Sequence, residues 1–293
     1  MAPTKTISKT QASASSIIKL PLDTRNDPTL RRLNQLLYIP ETGIWVPGKK
    51  STPIFDYSSH FDRSAINWFT DDYVGFNEDV MAQTKELAHT AIAMDQNSSE
   101  DILNPAVIFK LSRTHWYNDS KFIVTKPAPY IGQRRGRTLT DDSAPSQDSG
   151  EIYQDEVVLA EYVSPLLAYG VTNISFPDDS LHSSHPITVR PINATRRSQS
   201  FVQDSVSYVW DVNRTLFPGG GGVLSLYKGI GANKKIEIGR YQSDNGQFVP
   251  GGLVVIDSDE VDVLIAVLSL MSVLAQRESF SVPTGNWAGM IVQ

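Results

Sequence analysis

The segment Val263–Ala275 is apolar at every position except Ser269 and Ser272. A helix formed there is hydrophobic on all sides, so it cannot lie on a surface with one wet face. It also falls short of the ~20 consecutive apolar residues that a membrane span needs. Asp259, Glu260 and Asp262 precede it and Arg277 follows, a charge order that offsets the helix macrodipole. Such a helix must be surrounded by the rest of its own chain. Val263, Leu264, Ile265, Val267, Leu268, Leu270, Met271, Val273 and Leu274 would each contribute about 1.5–3 kcal/mol when buried. The gross gain, about 13–27 kcal/mol, is offset by the entropy of ordering.

The residues before it have the pattern of a wrapper. From Pro105 onward the hydrophobic period is two. Strands are predicted at Val107–Ser112, Phe122–Lys126, Val157–Tyr162, Ile187–Arg190, Ser205–Asp211, Val223–Tyr227, Ile236–Tyr241 and Gly252–Ile256. They are short, rich in β-branched and aromatic residues, and punctuated by Gly, Pro, Asn and Asp. Many such strands in succession indicate a barrel or a sandwich. Residues 130–150, rich in Ser and Asp, read as a long exposed loop, and Gly219–Gly222 as a flexible turn.

The N-terminal part reads differently. Residues 1–23 are rich in Ser, Thr and Lys and lack an export signal. They are expected to be a disordered tail on a cytoplasmic protein. Residues 24–104 are expected to form a helical and loop extension, and 105–293 the barrel domain. Asp27 and Pro28 make a helix start. Leu30, Leu33, Leu36 and Leu37 then share one face until Pro40. Residues 41–75 read as aromatic-rich loops laid on a core. Val80, Thr84, Leu87, Ala88, Ala91 and Ile92 form one stripe of an amphipathic helix over 78–94. That stripe is expected to pack on the chain's own core, with docking to a protein partner as the alternative.

The segment Phe201–Trp210 resembles a recurrent strand of fungal tubby-like proteins, and Ile236–Tyr241 resembles the strand that follows it there. Gly251–Ile256, followed by Glu260-Val261-Asp262 and the apolar helix, is similar to that family's ending. The resemblance covers roughly residues 105–290. It points to the superfamily of tubby proteins, plant LURP-one-related proteins and phospholipid scramblases. It implies a mainly β fold: a closed antiparallel barrel of about twelve strands around a buried hydrophobic C-terminal helix. Tubby proteins bind phosphoinositides through basic residues of the barrel, but no position here matches that site residue by residue. Scramblases carry palmitoylated cysteines, and this chain has no cysteine.

Three basic groups are the candidate phosphate or lipid contacts. Arg134, Arg135 and Arg137 lie in the long loop, Arg196 and Arg197 precede a strand, and Lys234 and Lys235 lie in a turn. Gathered on one rim they could hold an anionic headgroup, because the guanidinium fork matches phosphate oxygens. Asp141, Asp142, Asp148 and Glu151 would partly cancel the first group. His182 and His185, following Asp178 and Asp179, have metal-ligand chemistry. Turn formation on a Ser- and Pro-rich loop accounts for them equally well.

Nucleophile-elbow, P-loop and dinucleotide signatures are absent from the sequence. A net charge of −6 gives no general attraction to nucleic acid. The sequence thus predicts a non-enzymatic intracellular binding module without a cofactor. It would dock on an anionic membrane lipid or a protein partner, without crossing the membrane. The alternatives are an enzyme or accessory of small-molecule metabolism with a pocket at the barrel mouth, and a structural partner acting through helix 78–94.

Overall fold

The structure is a computed structural model. It describes residues 14–23, 30–41, 51–64, 66–72, 75–95, 107–115, 119–126, 157–165, 170–193, 196–212, 222–231, 233–244 and 251–281. Twelve strands form one closed barrel in which each strand pairs with its neighbours in sequence, and the last pairs with the first. They are β1 (Gln35–Ile39), β2 (Ser51–Asp56), β3 (Val107–His115), β4 (Asp119–Lys126), β5 (Val157–Pro165) and β6 (Thr172–Ser175). β7 (Ile187–Asn193), β8 (Arg196–Gln203), β9 (Val206–Val212), β10 (Val223–Ile230), β11 (Lys234–Ser243) and β12 (Gly252–Ile256) complete the circuit. Every pairing is antiparallel, and closure leaves no free sheet edge along the paired lengths.

Helix α3 (Val263–Ser281) follows β12 and runs through the barrel. Every residue from Leu264 to Leu274 is 2% exposed or less, three helical turns with no wet face. The alternation of the strands supplies the lining: Phe109 and Leu111 of β3, Phe122 and Val124 of β4, Tyr208 and Trp210 of β9, and Ile238 of β11 join the same core as α3. Ser269 and Ser272, the two serines of the buried run, are both satisfied. Trp210 Nε1 donates to Ser269 Oγ at 2.9 Å, and Ser269 Oγ donates to the Ala266 carbonyl at 2.8 Å. Ser272 Oγ bonds Gln199 Oε1 at 2.9 Å and lies 2.7 Å from Thr172 Oγ1. Asp262 caps the helix: its Oδ1 accepts from the Ile265 amide at 3.1 Å.

A second layer covers one side of the barrel. α2 (Glu78–Asp95) lays Val80, Ala88 and Ala91 over Leu36, Tyr38, Leu253 and Val255 on the outer faces of β1 and β12. Thr84, in the same stripe, is fully buried and donates to the Val80 carbonyl at 2.6 Å. The stripe therefore packs on the chain's own core, as its periodicity predicts.

Four sequence expectations are corrected. The barrel begins at Gln35: Gln35–Ile39 is a strand where a leucine-faced helix is expected, and Ser51–Asp56 is a strand where loops are expected. Leu30 adopts φ 56°, outside the helical region; Asp27 and Pro28 lie outside the described residues. Phe201–Trp210 is a hairpin, since Asp204 and Ser205 have φ 47° and 65° and form a two-residue turn between β8 and β9. Residues 14–23, expected to belong to a disordered tail, are ordered: α1 (Ala14–Ile17) buries Ile17 against Val209 and Tyr227 on the barrel's outer wall.

Candidate functional site

Strand parity decides which charged groups can meet. α3 starts where β12 ends, and that end of the barrel is termed the entry rim. In an up-and-down barrel every odd strand begins there and every even strand ends there. Lys234 and Lys235 open β11, so they sit at the entry rim. Arg196 and Arg197 open β8, so their backbone lies at the opposite rim. The backbone of Arg196 and Arg197 and that of Lys234 and Lys235 thus lie at opposite rims, and the condition that all these cations share one rim is not met. Arg134, Arg135 and Arg137 lie outside the described residues, but the strands that flank them, β4 and β5, meet the entry rim.

The entry rim is built around an incomplete edge. β12 pairs with β11 only from Gly239 onward, which leaves the first residues of β11 open on that side. Other segments complete it. Asp257 N donates to the Ile238 carbonyl at 2.8 Å, and Arg32 Nε donates to the Glu237 carbonyl at 2.9 Å. Asp23 N donates to the Lys235 carbonyl at 2.8 Å, and Lys235 N donates to the Pro21 carbonyl at 3.1 Å. The N-terminal segment thus adds a short parallel bridge, Leu22 to Lys235, at the start of β11.

The two lysines fix that segment in place. Lys234 Nζ is 3.2 Å from Asp23 Oδ2. Lys235 Nζ donates to the Ile18 carbonyl at 2.8 Å and lies 4.2 Å from the centre of the Tyr227 ring. Burial lowers the Lys235 pKa below the usual lysine value, and Asp211 and Glu237 partly offset this. Beneath them is a fully buried ion pair. Arg240 Nε is 2.7 Å from Glu237 Oε1, and its second nitrogen is 2.9 Å from Oε2. Ser225 Oγ also donates to Oε1, at 2.8 Å. The β10–β11 register shift at Leu226/Tyr227 puts Glu237 and Arg240, three residues apart, on the same outer face.

Further round the entry rim, Arg31, Asn34, Ser58, Ser59, Asp62, Arg63 and Trp68 line an open cleft of about 410 Å³. Arg63 forms its floor. It donates to the carbonyls of Leu30 and Arg31, each at 2.8 Å, and to that of Leu33, while its guanidinium covers the Trp68 ring at 5.0 Å. Arg31 is exposed at the cleft's edge. Asp62 accepts from the backbone and hydroxyl of Ser64, which hold its pKa below the usual carboxylate value.

His182 serves the fold. Its Nδ1 is 2.8 Å from Oδ2 of Asp262, the carboxylate that caps α3, and so ties the β6–β7 loop to the helix start. The His185 amide bonds Ser183 Oγ, as a turn requires. Among the described residues no group of three or more His, Asp or Glu could hold a metal ion. None of their helices is long and apolar enough to cross a membrane.

No protein-family model, curated protein or solved structure matches this chain. The function must therefore be argued from the geometry itself. Sequence inspection overlooked Arg31, Arg32, Arg63 and the 14–23 segment. The apolar cluster Ile17, Ile18, Leu20 and Leu22 around Pro21 was the available signal for the last of these.

Proposed function

We propose that this chain is a non-enzymatic binding module, a tubby-like barrel that docks on anionic phospholipid at the cytoplasmic face of a membrane. The observation that carries this reading is the filling of the lumen by α3, which leaves recognition to the outside of the barrel. There the entry rim carries Arg31, Arg32, Lys234 and Lys235. Cations near an anionic leaflet contribute about 1 kcal/mol each. Acids share the rim: Asp23 pairs with Lys234, Asp62 lines the cleft, and Asp257, Asp259, Glu260 and Asp262 lie in the turn between β12 and α3; they moderate the local charge, which suits reversible docking.

The test is sedimentation of the full chain with phosphatidylcholine vesicles, with and without phosphatidylserine, at low and high salt. Binding is expected only with the anionic lipid and is expected to weaken as salt rises. Arg31→Glu should lower it by about 30-fold, since a reversal removes one attraction and adds one repulsion. Equal binding to neutral vesicles, or no response to salt, contradicts the reading.

One observation favours a second reading. The Arg31–Trp68 cleft has the size of a small-ligand site and presents guanidinium, amide, hydroxyl and carboxylate groups. It would suit an accessory protein that holds a small polar molecule. Docking to a protein through helix 78–94 has less support, because the apolar stripe of α2 is already covered by β1 and β12.

A further inference from the structure

Resting on the lipid-docking reading, we infer that residues 14–23 are a displaceable strap that masks the docking surface, and that this surface is the outer tip of the β10–β11 hairpin. The strap contacts the very cations that docking would use: Asp23 pairs with Lys234, and the Ile18 carbonyl accepts from Lys235. The hairpin tip has the composition of a membrane-touching element. Ile230 is 45% exposed beside Gly231, which takes φ 59° to make the turn, and Lys234 and Lys235 open the next strand. Apolar side chains flanked by lysines match a bilayer interface, where the apolar groups enter and the cations meet lipid phosphate.

The strap is held lightly. α1 is a single turn, and Ile17 is the only side chain that it buries completely. Ile17 sits directly over Gly229 of β10: a Cβ there would lie 3.1 Å from both Ile17 Cδ1 and Cγ1. Beyond that seat the strap meets the barrel at one β-bridge, Leu22 to Lys235, and through the same two lysines, at Asp23 and the Ile18 carbonyl. An anionic bilayer competes with it for the same lysines. Wild-type affinity is then the intrinsic affinity reduced by the fraction of molecules with the strap open.

Two full-length variants release the strap without touching a lysine: Ile17→Asp removes its anchor, and Gly229→Val fills the anchor's seat. Release is read by the rate of trypsin cleavage after exposed Lys19, and docking by sedimentation with phosphatidylcholine vesicles containing phosphatidylserine. Both variants should be cleaved faster than wild type. They should bind at least ~10-fold more tightly, the factor for a strap closed nine times in ten. Adding Lys234→Glu and Lys235→Glu should abolish the gain. Faster cleavage without tighter binding overturns the inference, as does unchanged cleavage in both variants. Salt-sensitive wild-type binding with no gain in the variants leaves lipid docking standing and removes the strap. No binding by any form removes both.

Discussion

Leu268→Asp is expected to abolish folding. Leu268 is fully buried near the middle of α3, enclosed by barrel strands. The substitution forfeits about 1.5–3 kcal/mol of burial. It also places a carboxylate where no partner is in reach, at a further cost of several kcal/mol. Against a net stability of about 5–15 kcal/mol for a typical domain, the sum removes the folded state. The expected result is insoluble protein, or soluble protein without a cooperative thermal transition. Leu268→Met, which conserves volume, should fold at a cost below about 1.5 kcal/mol. A soluble Leu268→Asp protein with the wild-type melting temperature would contradict the enclosed helix.

Glu237→Ala is expected to be the next most damaging change. The Glu237 and Arg240 side chains are 2% and 3% exposed, and the guanidinium faces the Phe69 ring at 5.2 Å. Truncating the acid leaves a guanidinium buried without its counter-ion and costs about 3–5 kcal/mol. At about 2–4 °C per kcal/mol, Tm should fall by roughly 6–20 °C. The double variant Glu237→Leu with Arg240→Met should recover most of the loss, because apolar groups of similar size need no partner. Calorimetry on the wild type, the single and the double variant decides it. A double variant no more stable than the single one would mean that the pair is not what Glu237 supplies.

α3 was legible in the sequence because an all-round apolar helix has one solution, enclosure. α2 was legible because its stripe has a clean helical period and its outer face is polar. β1 was not, because it is buried on both sides: Leu37 and Ile39 face α3, while Leu36 and Tyr38 lie under the outer layer. Burial on both faces erases the period-two alternation, and the leucines then fit a helical template by chance. β2 was hidden by Pro53, which belongs to the strand but reads as a turn. Strand parity assigns each end of a strand to a rim, and with β8 overlooked the rim of Arg196 and Arg197 was not legible. The order of residues 14–23 comes from contacts with strands far away in sequence, and the apolar cluster around Pro21 marks the segment as sticky without saying where it docks.

Thiol labelling tests the enclosed helix most directly. The chain has no cysteine, so Met271→Cys introduces a single thiol at a fully buried position of α3. Under native conditions the thiol should react with a thiol reagent only as fast as the whole barrel unfolds, and at once in denaturant. Rapid labelling of the folded protein would show that α3 is not sealed inside the sheet, and the architecture on which the functional reading rests would fall.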